Sequence, residues 1–369
     1  MKISEVSSFR ITLENAGSND YRITALDLTR IQTDEGLTGY GFRRTDDPVL
    51  RDRIRPHLVG RDPAAINEWL EAHVLDGASA VEHALWDLLG KAAGMPVRRL
   101  FGGGRDRIPY YLTCVWPGKP DQSHLTPEAQ AHDLVRYVPH GHSRFKIRAW
   151  RPAPLEDIRV FTLLRQEVGN SGPDLELMLD RTAHLPGWTW TEAQALSVAR
   201  ALEAAGGTWL EEPFARDNIA AYRHLRESVA LPITGGEFGT TLADFRAYLV
   251  GQAVDVVQPD ANGSGGLLRC RQVAALAEAF EVPCILHGTM GPNLAAAAQV
   301  ASSIPSCRMM EIALVHPPLT PEQQWQPVDR ILKHPGLFHL EDGYLTVPNG
   351  PGLGLDIDDD AVEALRPRV

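Results

Sequence analysis

Apolar positions along the chain follow two rhythms. Residues 1–13, 22–33 and 37–43 read as strands, with Ile23, Ala25, Leu26, Leu28 and Ile31 supplying a buried face. Asp34, Glu35 and Gly36, between the last two segments, supply turn chemistry. Val81, Ala84, Leu85, Leu88 and Leu89 recur at the spacing of one helix face, and Gly94 and Pro96 stop that helix. This predicts an α+β domain over residues 1–108.

From residue 109 a repeat takes over. Short apolar segments at 110–114, 144–148, 175–180, 208–212, 232–237, 254–260, 283–287 and 308–312 alternate with helical text. Residues 191–205 show the helical part, with Ala195, Leu196, Ala199 and Leu202 on one face. Alternation of this kind predicts a parallel sheet, and eight such units predict a (β/α) TIM-type barrel over residues 109–320. Residues 321–369 lose the repeat. There, 343–347 reads as one strand after a turn at Asp342-Gly343, and the acidic run 356–360 as a solvated loop.

Candidate chemistry gathers at the strand ends. Asp180, Glu211, Glu237, Asp260, His287 and Glu311 each close a predicted strand, about one βα unit apart. In a parallel barrel all these ends open on one face, so the six should ring one mouth. Asp180, Glu211 and Glu237 come from successive strands. Three converging carboxylates repel one another unless a cation sits between them, and an all-oxygen set suits Mg²⁺ better than Zn²⁺. Glu212 competes with Glu211, because strand alternation turns only one of two neighbours inward. Asp260 beside His287 would orient an imidazole to act as a general base. Lys146 and Arg148 are two apart and share a side, with Trp150 following, so two cations should face the cavity and hold a carboxylate.

Charge and composition narrow the partners. A net charge of −11 favours neither a nucleic-acid backbone nor an anionic membrane surface. No apolar run is long enough to span a bilayer, and the first ten residues lack the apolar core of a signal peptide. Four cysteines without a C-x-x-C pair read as buried thiols in a reducing compartment. A cytoplasmic protein with a small-molecule partner is expected.

Seven segments, taken in order, carry a resemblance. They are VEHALWDLLGKAAGMPVRRLFGG (81–103), LMLDRT (177–182), WLEEPF (209–214), GGE (235–237), QPDANGSGG (258–266), LHGTMGP (286–292) and MEIAL (310–314). Together they resemble the mandelate racemase-like subgroup of the enolase superfamily over essentially the whole chain. The resemblance implies a modified (β/α) barrel whose N-terminal cap is completed by the C-terminal segment. It implies one Mg²⁺ per active site on Asp180, Glu211 and Glu237, with the first Glu of Glu-Glu-Pro as the ligand. A His287–Asp260 dyad would act as base on one face, Glu311 would be a hydrogen-bonding or acid residue, and the substrate carboxylate would chelate the metal. Two departures stand out. Many members have Lys-x-Lys where this chain has Lys146-Ile147-Arg148, and Asp-Ala-Asn is frequent where it has Asp180-Arg181-Thr182.

Arginine keeps its proton in proteins, so Arg148 is a clamp rather than a base. With one base, loss of a β-hydroxyl is easier than return of the proton to the other face. The expected activity is therefore a hydro-lyase that dehydrates a sugar acid to a 2-keto-3-deoxy acid. The alternatives are a racemase or epimerase using Lys146 as second base, a cycloisomerase, and a barrel that binds ligand without chemistry. The cap loops should touch the distal end of the substrate, through Asn15, Ser18, Asn19, Tyr21, Arg43, Arg44 and Thr45. A homo-oligomer is expected.

Overall fold

Three strands, β1 (Ile3–Thr12), β2 (Ala25–Thr33) and β3 (Thr38–Gly41), form an antiparallel meander in the computed structural model of the chain. That structure describes residues 1–15, 21–116, 118, 121, 125–183, 187–315 and 319–367. The helix Ser79–Ala92 lies on the meander and buries Val81, Ala84, Leu85 and Leu88 against Ile3, Val6 and Ile31. Its close approach depends on two glycines. A Cβ on Gly39 would stand 2.1 Å from the Ala84 carbonyl oxygen, and one on Gly41 2.0 Å from that of Ala80.

The second unit is the barrel. Its strands β4 (Arg107–Val115), β5 (Arg144–Arg148), β6 (Glu176–Asp180), β7 (Trp209–Glu211), β8 (Ile233–Gly235) and β9 (Val256–Val257) pair in parallel, each with the next. Single parallel bridges then join Val257 to Cys284, Asp260 to His287 and Thr289 to Ile312, and β10 (Met310–Val315) pairs with β4. The ring of pairings closes, as a (β/α) barrel requires. Thr191 and Thr241 start two of the outer helices with capping boxes, the partners being Gln194 and Asp244.

Two predicted strands are shorter than expected. The 254–260 segment pairs regularly only over Val256–Val257, and 283–287 is a chain of single bridges. Pro259 and Pro283 lack an N–H, so the ladder there runs through Val257, Ile285 and His287, which donate to Pro283, Val257 and Pro259. The eighth strand differs in the other direction. It runs on to Val315, so Glu311 is its second residue rather than its end.

In the C-terminal part the strand expected after Asp342-Gly343 is present, and the acidic run departs from expectation. Residues 343–347 belong to a hairpin of β11 (His339–Glu341) and β12 (Tyr344–Thr346), and β12 extends the start of β4 antiparallel. The acidic run is a helix start. Asp358 accepts from the N–H groups of Asp360 and Ala361, and Asp359 and Asp360 occupy the first turn of Asp359–Leu365, where a helix favours negative charge. This segment contacts the N-terminal unit. Glu363 pairs with Arg30 at 2.7 Å, and Asp359 accepts from the Tyr40 hydroxyl at 2.7 Å. Asp87 ties three elements together, accepting from the N–H groups of Tyr40 and Leu353 and from Lys91.

The four cysteines are buried and free. No helix among the described residues is long and apolar enough to cross a membrane.

Candidate active site

The barrel floor is a small layer of inward side chains, Tyr111, Met178, Trp209 and Ile285. Above it lies Lys146, fully buried, its position set by strand alternation on β5. Its ammonium is 2.6 Å from Glu211 Oε1, 3.0 Å from Glu311 Oε1 and 3.7 Å from Asp180 Oδ2. Burial alone would lower its pKa, but Glu211, Glu311 and Asp180 outweigh burial and raise it, so the ammonium stays charged. Arg148, two residues on, pairs with Asp180 and donates to the Thr182 hydroxyl. Asp180 accepts in addition from the Thr182 N–H at 2.6 Å.

His287 occupies the other side of the ring. Its Nδ1 is 2.8 Å from Asp260 Oδ2, and its Nε2 contacts Glu237. Asp260 is held in turn by the N–H groups of Asn262 and Gly263 on Oδ1, at 2.5 and 2.8 Å. Burial opposes charge on the imidazole, but Glu237, Glu311 and Asp260 raise its pKa well above the usual value. Glu311 accepts from Gly288 N–H at 2.8 Å, Tyr111 hydroxyl at 3.1 Å and the Thr113 hydroxyl. Although burial disfavours its charge, Lys146, His287 and Thr113 hold it well below the usual carboxylate range.

Alternation does not separate Glu211 from Glu212, because both are buried. Glu211 follows the strand and accepts from Lys146, from Gln258 at 2.9 Å and from Trp209 at 3.3 Å. Glu212 has φ 44°, which turns its backbone out of the strand pattern and sends its carboxylate to the Gly236 N–H at 3.1 Å. Its second oxygen has no hydrogen-bond partner among the described residues.

The charge count of this cluster bears on a metal. Asp180, Glu211, Glu212, Glu237, Asp260 and Glu311 outnumber the cations Lys146 and Arg148 and the His287 imidazole that pair with them among the described residues. Burial lifts Glu211 to about 7 even beside Lys146, and lifts Glu212 well above the carboxylate range. A buried excess of hard oxygen donors is what a divalent cation satisfies, so these residues fit Mg²⁺. Ligand-capable atoms of Glu211, His287 and Glu311 lie within 4.8 Å of one another.

The cap residues divide. Arg43 lines a cavity of about 350 Å³ between the cap and the barrel loops, together with Phe42, Asn262, Thr289 and Asn293. Thr45 is buried. Its hydroxyl is 3.0 Å from that of Thr29 on β2, and its N–H donates to Ser8 Oγ on β1. Arg44 is directed at Asp47, at 3.1 Å on the surface. Asn15 and Tyr21 are exposed, and Ser18 and Asn19 lie outside the described residues. Trp150 packs edge-on against Trp188 rather than over the carboxylates.

The sequence pattern did not single out Tyr111, Thr113 or Gln258, and marked Thr182 only as a departure from Asp-Ala-Asn. A signal existed for two of them. Gln258 sits two residues before Asp260 and Thr113 two after Tyr111, so period two would have placed them inward.

Comparison with known proteins assigns the class. Residues 129–361 match the family described as enolase C-terminal domain-like, and residues 23–102 match the mandelate racemase / muconate lactonizing enzyme N-terminal domain. The chain belongs to the enolase superfamily, in its mandelate racemase-like subgroup. It is similar to a D-galactonate dehydratase family member of Streptomyces bingchenggensis, 29% identical over 89% of this chain and 87% of that one. It is similar also to a D-xylonate dehydratase of Haloferax volcanii, 27% identical over 98% and 91%. Among solved structures, a racemase from Streptomyces coelicolor with bound magnesium superposes with a TM-score of 0.76, at 25% identity over 99% of this chain and 100% of that one.

Proposed function

We propose that this chain is a Mg²⁺-dependent acid-sugar dehydratase, which removes the proton next to a carboxylate and expels the β-hydroxyl as water. The observation that carries the reading is His287, fixed through Nδ1 by Asp260, with Nε2 turned into a ring of carboxylates that two cations face. The names of the two dehydratase relatives support the sugar-acid substrate.

Asp180, Glu211 and Glu237 would hold the metal, which when bound would neutralise the charge that develops on the substrate carboxylate. Asp260 keeps the His287 imidazole oriented and supports its protonated form. His287 Nε2 takes the C2 proton, and the C–H electron pair moves toward the carboxylate to give an enediolate. Arg148, a planar donor that stays charged, suits an oxygen of that enediolate. The pair then returns to form the C2–C3 double bond as the C3–oxygen bond breaks. Protonated His287 supplies the leaving oxygen with its proton, since Glu311, held ionised, has none to give. The resulting enol tautomerises to a 2-keto-3-deoxy acid.

Lys146 contributes a fixed positive charge. Arg148, which keeps its proton, stands where a second base would be needed, and this favours the dehydratase over the racemase or epimerase reading. The cavity beside Arg43 would take the distal hydroxyls. A screen of sugar acids for 2-keto acid formation, with and without Mg²⁺, tests the proposal. Formation of a C2 epimer without loss of water would replace it.

A further inference from the structure

The segment that carries Asp260 is gripped from outside the barrel. It leaves the 254–260 strand, crosses residues 261–266 and enters the helix Leu267–Glu278. Two adjacent residues of the cap helix Ser79–Ala92, Glu82 and His83, hold its two ends. His83 Nε2 is 2.9 Å from the carbonyl oxygen of Ala261, the residue directly after Asp260. Glu82 accepts from the N–H groups of Leu267 and Leu268, both at 2.9 Å, one on each carboxylate oxygen, and from Trp86 Nε1 at 2.7 Å. Glu82 and His83 are fully buried.

The sequence between these anchors is adapted to the grip. Gly266 has φ 100°, and a Cβ there would stand 2.5 Å from the Glu82 carboxyl, so only glycine lets the carboxylate reach the helix start. Within the segment, Asp260 accepts from Asn262 and Gly263, and its own N–H donates to the Ser264 hydroxyl at 3.0 Å. Asp260 therefore has little freedom once Ala261 and Leu267 are fixed. Burial pushes His83 down to about 4, so it is a neutral donor at ordinary pH.

We propose that Glu82 and His83 are positioning residues for catalysis: the cap helix sets the Asp260 carboxylate, and through it the His287 imidazole, by clamping residues 261 and 267. This rests on the reading of His287 as the base. Residues on the cap's rigid helix, rather than its substrate-facing loops, thereby act on the acid–base step. A displacement of about 1 Å at a reacting group can cost on the order of a hundredfold in rate, so a small loosening is readable.

The test uses the full chain loaded with Mg²⁺ and three variants, His83→Leu, His83→Gln and Glu82→Gln. The substrate is whichever sugar acid turns over in a panel headed by D-galactonate and D-xylonate. His83→Leu should lower kcat by about 10²-fold with KM changed by less than about threefold. His83→Gln, whose amide can still reach the Ala261 carbonyl, should recover most of kcat. Calorimetry with Mg²⁺ alone should give wild-type affinity, because the candidate ligands lie on other strands. Hydrogen exchange of the 260–266 peptide should quicken in His83→Leu, a readout that needs no substrate. Unchanged exchange there, or a kcat within about twofold of wild type in a folded protein, overturns the proposal. A kcat lost together with Mg²⁺ affinity overturns it too. If His83→Leu does not fold, Glu82→Gln is read by the same criteria. His287→Asn separates the two claims. Retained α-proton exchange in that variant defeats the base assignment itself, whereas unchanged peptide exchange in His83→Leu defeats only the clamp.

Discussion

Replacing Lys146 by methionine removes the cation that lies among Asp180, Glu211 and Glu311. The side chain is fully buried and so are its partners, at 2.6 Å from Glu211 and 3.0 Å from Glu311. Removing one partner from a buried ion pair typically costs about 3–5 kcal/mol, because the remaining charges stay desolvated and unpaired. At roughly 2–4 °C per kcal/mol for a chain of a few hundred residues, the melting temperature should fall by about 6–20 °C without metal. The loss should depend on pH with a definite sign. Burial raises the Glu211 carboxyl to about 7, while Lys146 is the chief influence that lowers it. A carboxyl whose pKa is raised on folding contributes its full stability below its unfolded value and loses it as pH rises through the folded one. Without Lys146 the folded value rises further, so the deficit of K146M should be larger near pH 8 than near pH 5.5. Added Mg²⁺ should restore more of the melting temperature in K146M than in wild type, since the cation then meets a larger unmet charge. Scanning calorimetry at the two pH values, with and without Mg²⁺, measures all three effects. A K146M melting temperature within about 2 °C of wild type near pH 8, without metal, would refute the charge argument.

Chelation should abolish turnover, and Mg²⁺ should restore it better than Zn²⁺, as assayed by 2-keto acid formation; full activity in excess chelator would contradict an oxygen-ligated metal. Wild type should exchange the C2 proton of only one C2 epimer of its substrate, followed by proton NMR in deuterated water. Exchange from both would point to a second base, with Lys146 the first suspect. Thr45→Val should cost about 1 kcal/mol through the lost bond to Thr29 and leave KM unchanged, and a raised KM would return Thr45 to the substrate site.

The sequence carried the barrel because period-two strands and helical text alternate so regularly after residue 109. It carried the ring of acid and base residues because each stands near a strand end, where topology dictates convergence. It misplaced Glu311 since nothing in RMMEI marks where β10 stops, and the ladder with β4 continues to Val315. The choice between Glu211 and Glu212 was not legible by alternation, because a positive φ at Glu212 breaks the rule on which the choice depends. The acidic run 356–360 hid a helix start, since the cap at Asp358 works through two backbone N–H groups that composition does not reveal. Thr45 looked like a loop residue, but the hydrogen bond that buries it comes from β2, sixteen residues earlier. The Glu82–His83 grip was hidden for the same reason: both residues lie within a helical pattern, and their partners are about 180 positions away.

The central claim is that His287 removes the proton next to a carboxylate and that loss of water follows. Proton NMR of a sugar-acid panel in deuterated water with Mg²⁺ tests it most directly, comparing wild type with His287→Asn. Wild type should convert one of the acids to a 2-keto-3-deoxy acid, with deuterium entering from solvent. His287→Asn should show neither conversion nor exchange at C2. Exchange that persists in His287→Asn, or a C2 epimer that accumulates in wild type without loss of water, would contradict the account.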